Sequence, residues 1–230
     1  MNRVYFIRHG EGVDNASRQF SYRKVDRPLT ERGRMQARET GEYLARRRVD
    51  GIYCSGMKRA HETAQIIAAA LTLEPIVLDE FREVDVGELD GRDYSAEAWA
   101  VYHRVVNEWL AGNAQAAVPG GENYVTARER TRRGFMKMLE GKADRTLALV
   151  GHAGIFTATL RELCPDLDAS WLQNAEYYNC AITELEIEDA NGNLRGRLID
   201  WANYSHLSEE ALTRVPGIPP NQNNAKWSSS

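Results

Sequence analysis

Short apolar runs rich in β-forming residues alternate along this chain with segments of helical periodicity, and this alternation limits the fold more than any other feature. Strands are predicted at residues 4–7, 51–55, 75–78, 180–187 and 194–201, and residues 148–150 are predicted to form the centre of a further strand. The first of these, residues 4–7, is predicted to be buried. Helices are predicted from Thr30 to about Arg48 and from Met57 to Leu71, where apolar residues recur at helical spacing. Strands that alternate with helices of this length predict an α/β fold, a three-layer α/β/α sandwich with a largely parallel central sheet.

The length and composition indicate one globular domain. A chain of 230 residues can bury one substantial core, and residues 1–214 are assigned to a single domain. Residues 215–230 are rich in Pro, Asn and Ser and are predicted to form a loosely held tail. Hydrophobic residues make up 43% and charged residues 27%, which excludes a disordered, fibrous or membrane-spanning protein. The net charge of −4 comes without a basic stripe, so nucleic acid is not an expected partner.

The N-terminus and the cysteines bear on the location of the protein. The first apolar run is too short for a secretory signal, and no stretch approaches the roughly 20 apolar residues of a membrane helix. The cysteines Cys54, Cys164 and Cys180 lie far apart without a CxxC pair, which argues against a disulfide framework and a structural zinc site. We therefore expect a cytoplasmic protein with no membrane partner, no metal and no cofactor.

Two histidines share one setting, because each follows an apolar run and precedes a turn of small residues. His9 stands in Ile7-Arg8-His9-Gly10, and His152 stands in Val150-Gly151-His152-Ala153-Gly154. Ligands of open α/β sheets bind beyond the carboxyl ends of the strands, so both imidazoles can converge on one crevice. Arg8 and Arg59, the latter in the first turn of a predicted helix, add guanidinium groups that match phosphate oxygens. This group of residues indicates a site that recognises a phosphoryl group.

The motif Arg8-His9-Gly10-Glu11, with Asn15 behind it, resembles the signature of the histidine phosphatase superfamily, also called phosphoglycerate mutase-like. The resemblance covers roughly residues 3–200, and its further blocks follow in the family's order: residues 26–33 with Gln36 and Ala37, residues 55–60 with Thr63 and Ala64, residues 82–87 with Gly91, residues 120–122, and the turn at His152. The resemblance implies a phosphoglycerate mutase-like fold and a metal-independent phosphomonoesterase of the histidine acid phosphatase type.

The resemblance also implies a role for individual residues. His9 is the expected nucleophile, Glu83 the proton donor, and Arg8, Arg59 and His152 the phosphate pocket. Further substrate contacts are expected from Asn15, Gly10, Glu11 and Ala153. Glu11 and Glu122 are also candidates for orienting the histidines and arginines.

The assignment of the proton donor has competitors, because Glu80, Asp85 and Glu88 lie in the same short acidic stretch. Glu83 stands four residues before Gly87, as in the family motif, and is therefore preferred. These assignments imply a mechanism in which Glu83 protonates the leaving oxygen and then accepts a proton from the attacking water. His152, either protonated or as a hydrogen-bond donor, helps to neutralise the phosphoryl oxygens.

Three functions remain open at this point. A phosphatase is favoured over a phosphoglycerate mutase, because Arg92 and Arg104 are the only arginines between Gly91 and Gly120, among aromatic residues. A catalytically silent relative that binds a phosphorylated ligand is the third.

Residues 94–117 are predicted to form an amphipathic helix that packs on the core or roofs the pocket. The expected partner is a small phosphorylated metabolite, or a phosphate or sulfate anion; the oligomeric state stays open, a homodimer included.

Overall fold

A computed structural model describes residues 1–167, 177–190 and 192–212 of the chain. Its centre is a sheet of six strands in the order β3-β2-β4-β1-β5-β6. The strands are β1 (Asn2–Arg8), β2 (Gly51–Cys54), β3 (Pro75–Val77), β4 (Thr146–Gly151), β5 (Ile182–Ala190) and β6 (Asn193–Asn203). Pairing is parallel from β3 through β2 and β4 to β1, whereas β5 is antiparallel to both of its neighbours. The predicted tail from residue 215 onward lies outside the described residues.

Six helices flank this sheet in the described part of the chain: α1 (Val13–Ala16), α2 (Glu31–Ala45), α3 (Lys58–Leu71), α4 (Ala96–Leu110), α5 (Tyr124–Leu139) and α6 (Ala153–Leu163). Two short 3-10 turns, Asp79–Phe81 and Gly87–Leu89, lie between β3 and α4. The predicted α/β sandwich with a largely parallel sheet is confirmed.

Alternation along β1 shows why the fold has three layers. Tyr5 and Ile7 point to one face of the sheet, where they pack in a core cluster with residues of α2 and α3. Val4 and Phe6 point to the other face, where the larger core includes residues of α4, α5 and α6. Successive side chains of a strand alternate between the faces, so a strand that is apolar throughout needs cover on both sides.

The predicted helix ends agree with the structure where capping chemistry is present. The Thr30 side chain accepts a hydrogen bond from the Gly33 N–H and caps α2, whose last residue is Ala45 rather than Arg48. α3 begins at Lys58, so Arg59 lies in its first turn as expected. None of the helices in the described residues is long and apolar enough to cross a membrane.

The sequence did not predict α5. Four arginines interrupt this segment, yet its buried residues recur at helical spacing: Tyr124, Ala127, Thr131, Gly134, Phe135, Met138 and Leu139. Asn123 caps its N-terminus by accepting a hydrogen bond from the Thr126 N–H. The amphipathic pattern was therefore present, and the high density of charge obscured it.

Candidate active site

The parallel pairing of β1 with β4 brings the two histidines together. Arg8 lies opposite Gly151 in the register, so His9 and His152 follow at the same edge of the sheet. The His9 N–H donates to the Gly151 carbonyl at 2.9 Å, and the two imidazole centroids are 5.1 Å apart. Both side chains are at least 97% buried.

The backbone around His9 fixes which ring nitrogen can react. His9 Nδ1 lies 2.7 Å from the Gly10 carbonyl oxygen, which can only accept, so Nδ1 carries the proton. Nε2 then keeps its lone pair. Burial lowers the pKa of His9 well below its ordinary value, and the positive charges of Arg59 and Arg8 act in the same direction. His9 is therefore a neutral imidazole at neutral pH, with Nε2 available as a nucleophile.

The surroundings of His152 favour its neutral form over the protonated alternative. Burial lowers the pKa of His152 well below its ordinary value, and the charge of Arg59 lowers it further. Its Nε2 lies 2.9 Å from Ser55 Oγ, which itself accepts from the Met57 N–H and so can donate its own proton to Nε2. The remaining proton of the ring then belongs on Nδ1, which is buried and has no hydrogen-bond partner in the described structure. His152 can thus act as a neutral donor.

Two buried guanidinium groups stand beside the histidines. Arg8 and Arg59 are each 3% exposed. Arg8 donates to the Tyr177 carbonyl at 2.5 Å, and Arg59 Nε donates to His9 Nε2 at 3.1 Å. Arg8 Nε has no hydrogen-bond acceptor in the described structure, and Arg59 Nη1, which makes no hydrogen bond there, has only the Asp14 carboxylate at 3.5 Å. Buried donors without acceptors are costly, so this arrangement favours an anion that accepts from Arg8 and adds an acceptor for Arg59.

Asp14 is a site residue that the sequence reasoning missed. Its carboxylate is completely buried, accepts from the Ser21 hydroxyl and lies 3.5 Å from an Arg59 terminal nitrogen. It supplies the negative charge that a buried arginine needs and holds the guanidinium on the side of Ser21. The signal was an acidic residue inside the block between His9 and Asn15.

Glu83 lies at the N-terminus of α6. Its two carboxylate oxygens accept from the N–H groups of Gly154 at 3.0 Å and Ile155 at 2.7 Å, and a third bond comes from Val84. Its three acidic neighbours are engaged differently: Glu80 pairs with Lys137, Asp85 caps the Gly87 N–H, and Glu88 is exposed. Of these four carboxylates, Glu83 is the one that lines the cavity at His9.

A cavity of about 70 Å³ lies between His9, the two arginines and Glu83, and His152, which is completely buried, is not part of its lining. Its polar lining consists of Arg8, His9, Asn15, Ser21, Arg59 and Glu83. Its apolar lining consists of Phe20, Val84, Val86, Tyr94, Trp99, Tyr102 and Ala153. Residues of α4 both pack on the core, through Val105 and Trp109, and roof the cavity, so each of the two expectations for residues 94–117 holds.

The remaining predicted contacts lie at or behind this cavity. The Asn15 side-chain oxygen accepts from the Gly12 N–H at 3.0 Å, and Ala153 opens α6 beside the cavity. Gly10 and Glu11 lie behind His9 against α2. A Cβ at Gly10 would come within 2.5 Å of the Gly33 carbonyl oxygen, and Glu11 contacts Thr30 and Arg32. The structural role of Gly10 is therefore to place its carbonyl oxygen beside His9 Nδ1.

Glu122 orients Arg130, which is not one of the two arginines that line the cavity. Its carboxylate makes a two-point contact with Arg130 of α5, at 3.0 and 2.7 Å. Arg130 is a second residue that the sequence reasoning missed, because α5 was not predicted. The available signal was Glu122, which lies two residues before α5 in the block of residues 120–122 that the resemblance singles out.

The described residues contain no group of three or more His, Cys, Asp or Glu side chains that could hold a metal ion. All three cysteines are buried and unpaired, and burial raises the pKa of Cys54 and Cys180 to about 12. The reactive groups of the cavity are therefore imidazoles, guanidinium groups and one carboxylate.

Comparison with known proteins agrees with this chemistry. A model of the histidine phosphatase superfamily (branch 1) matches residues 4–199. A probable phosphoglycerate mutase of Salmonella choleraesuis, GpmB, is 29% identical over 221 residues, which span 94% of this chain and 99% of that protein. A mycobacterial glucosyl-3-phosphoglycerate phosphatase, solved with VO3, is 26% identical with a TM-score of 0.72, covering 88% of this chain and 99% of that one. A phosphoserine phosphatase variant of Entamoeba histolytica, solved with phosphoserine, shares the fold at 20% identity, with a TM-score of 0.71 and coverage of 90% and 100%.

If the guanidinium groups of Arg8 and Arg59 bind an anion, Arg59→Ala weakens the inhibition of p-nitrophenyl phosphate hydrolysis by orthovanadate and by inorganic phosphate. One charge-assisted hydrogen bond contributes about 1.5–3 kcal/mol, so the inhibition constants rise about tenfold or more. Arg59→Lys keeps a positive charge beside Asp14 and falls between Ala and wild type, because it loses the two-point geometry.

The matched control is Arg38→Ala, which removes an exposed arginine of α2 and leaves both inhibition constants unchanged. Unaltered inhibition in the folded Arg59 variants would show that the anion binds elsewhere.

Proposed function

The chain belongs to the histidine phosphatase superfamily, and on that premise we propose that it hydrolyses phosphate monoesters through a phosphohistidine intermediate on His9. The observation that carries the proposal is a neutral His9 with its proton held on Nδ1 by the Gly10 carbonyl, in a cavity that also contains Arg8, Arg59 and Glu83. A nucleophile, positive charge for the phosphoryl oxygens and a group that transfers protons are the three parts the reaction needs.

In the first half-reaction, His9 Nε2 donates its lone pair to phosphorus. A nitrogen–phosphorus bond forms while the bond from phosphorus to the ester oxygen breaks, and the leaving oxygen takes a proton from Glu83. Arg59 Nε gives up its bond to His9 Nε2 and turns to the phosphoryl oxygens. Arg8 and the His152 Nδ1–H donate to the same oxygens, which stabilises the charge that phosphoryl transfer spreads over them.

In the second half-reaction, water attacks the phosphorus of phosphohistidine and Glu83 accepts a proton from it. The nitrogen–phosphorus bond breaks, and His9 returns to its neutral form as inorganic phosphate leaves. Glu83 thus acts as acid and base in turn, and the two half-reactions together consume one water. Three backbone N–H groups, two of them at the N-terminus of α6, hold the carboxylate in a fixed position and stabilise the ionised form that acts as the base.

We propose that the reaction is metal-independent, because Arg8 and Arg59 already supply the positive charge that a metal ion would provide. The lowered pKa of His9 also keeps the nucleophile unprotonated below neutral pH, which supports activity of the acid phosphatase type. The proposed partner is a small phosphorylated metabolite. A cytoplasmic location fits the three unpaired thiols.

A phosphoglycerate mutase is the second candidate, which the name of the Salmonella relative favours. The cavity lining favours hydrolysis instead. Its only two cations among the described residues, Arg8 and Arg59, both lie at His9, and the remaining wall is largely aromatic and aliphatic. Arg92 and Arg104 are exposed, and residues 168–176 contain neither lysine nor arginine. Within the described residues, the cavity therefore offers no cationic partner for a second anionic group of a substrate.

The proposed function predicts hydrolysis of p-nitrophenyl phosphate that persists in excess EDTA. His9→Ala loses at least about a thousandfold in kcat, because the covalent route disappears, while circular dichroism shows an intact fold. Transfer of phosphate between the phosphoglycerates stays below the rate of hydrolysis. Retention of more than about a tenth of the activity by His9→Ala would remove the nucleophile assignment. Loss of the phosphatase activity in EDTA, restored by a divalent ion, would contradict metal independence. Binding of a phosphorylated ligand without its hydrolysis would identify a catalytically silent relative.

The role of Glu83 predicts that its removal depends on the leaving group. Glu83→Gln lowers kcat/KM for glycerol 2-phosphate, which reports the formation of phosphohistidine alone, by about two to four powers of ten, the usual range for general acid catalysis. It lowers kcat/KM for p-nitrophenyl phosphate far less, because nitrophenolate departs without a proton, whereas kcat falls on both substrates because the hydrolysis of phosphohistidine also needs Glu83. Asp85→Asn and Glu88→Gln are the matched controls and show no such contrast. Equal losses in kcat/KM on both substrates for Glu83→Gln would assign the proton transfer to another group.

A further inference from the structure

We propose that Arg130 and Glu122 form a positioning pair for Glu83, and that this pair sets the efficiency of proton transfer to the leaving group. The proposal rests on the proposed function, since it concerns the residue that transfers the proton. Neither residue lines the cavity, so the pair acts through Glu83 and not on the substrate.

Arg130 holds the backbone of the segment that carries Glu83. Its guanidinium donates to three carbonyls of this segment, those of Glu80 at 2.6 Å, Arg82 at 2.9 Å and Glu83 at 3.3 Å. The other donors go to the two carboxylate oxygens of Glu122. A guanidinium has five N–H donors in a fixed plane, so Arg130 uses all of them and locks the segment in one orientation.

Glu122 fixes Arg130 and contacts the same loop directly. The Arg130 and Glu122 side chains are only 16% and 12% exposed, so their ion pair is shielded from water and competing ions. The Glu122 N–H donates to the Asp85 carbonyl at 2.9 Å, and its carboxylate accepts from the Asp85 N–H at 3.5 Å. Glu122 thus connects α5 to the loop after Glu83, whereas Arg130 holds the residues before it.

Close glycine contacts show that this junction leaves little room for movement. A Cβ at Gly134, one helical turn after Arg130, would lie 2.8 Å from Phe81. A Cβ at Gly121 would lie 2.5 Å from the Asp85 carbonyl oxygen. The Glu83 segment is therefore pressed between α5 and the Gly121 turn, with Arg130 supplying the directional bonds.

Proton transfer is sensitive to this constraint. An acid must reach the leaving oxygen within hydrogen-bond distance, and a displacement of about 1 Å can cost about a hundredfold in rate. The α6 N–H groups fix the Glu83 carboxylate, but its backbone is fixed by Arg130. Loss of the pair should therefore reproduce the leaving-group dependence of Glu83→Gln in weaker form.

The test compares Arg130→Gln with wild type on glycerol 2-phosphate and p-nitrophenyl phosphate. We expect kcat/KM for glycerol 2-phosphate to fall about tenfold to a hundredfold and kcat/KM for p-nitrophenyl phosphate to fall no more than about threefold, since kcat/KM reports the step in which the leaving oxygen is protonated. Glu122→Gln, which leaves the bonds of Arg130 to the carbonyls in place, shows a smaller contrast of the same sign. It also carries the test if Arg130→Gln does not fold. Arg133→Gln, an exposed arginine of the same helix, is the control and shows no contrast.

The double variant separates positioning from a general structural role. In the Glu83→Gln background, Arg130→Gln adds no further contrast between the substrates, because the group it positions is gone. Equal losses in kcat/KM on both substrates for Arg130→Gln, or a contrast in the double variant that exceeds the contrast of Glu83→Gln alone, would overturn the positioning role. If Glu83→Gln itself shows no contrast, the acid assignment fails and this proposal with it. If Glu83→Gln shows the contrast and the Arg130 and Glu122 variants do not, only the positioning pair fails.

Discussion

The site depends first on the parallel pairing of β1 with β4. Because Arg8 lies opposite Gly151, the next residue of each strand is a histidine, and the His9 N–H bonds to the Gly151 carbonyl. A slip of one residue would turn each side chain to the opposite face and separate the imidazoles. The apolar residues of both strands prevent that slip, since each is committed to one of two cores. The same residues that form the core therefore set the geometry of the proposed chemistry.

The second constraint is the cost of burying charge. Arg8 and Arg59 are withdrawn from water, and effective penalties for buried ions amount to several kcal/mol each. Asp14 offsets part of this cost for Arg59, whose Nη1 it faces at 3.5 Å, but Arg8 Nε has no acceptor in the described structure. Positive charge held in this way keeps both histidines neutral and favours a bound anion. Folding energy from the surrounding cores thus maintains a site that is complementary to a phosphoryl group.

Much of this arrangement was predictable from local sequence. The strand ends at His9 and His152, the first turn of α3 at Arg59 and the Thr30 cap follow from short patterns, so periodicity and capping identified them. Asp14, Ser55 and Arg130 were not predicted, because their importance arises from contacts between distant segments. Arg130 lies 47 residues from Glu83 and acts on backbone carbonyls, which leave no signature in residue type. The choice of Glu83 over its acidic neighbours came from resemblance, whereas the structure supplies a physical reason in the α6 N–H groups.

The central claim is that the phosphoryl group passes through His9, and trapping the intermediate tests it most directly. Glu83→Gln should slow hydrolysis of phosphohistidine, so this variant is mixed with p-nitrophenyl phosphate, quenched in alkaline denaturant and digested with trypsin. The account predicts one added phosphoryl group on the peptide from His9 to Arg18, placed on the histidine by fragmentation. Glu83→Gln combined with His9→Ala should carry none. A phosphoryl group on any other residue, or turnover by Glu83→Gln without a labelled peptide, would contradict the account.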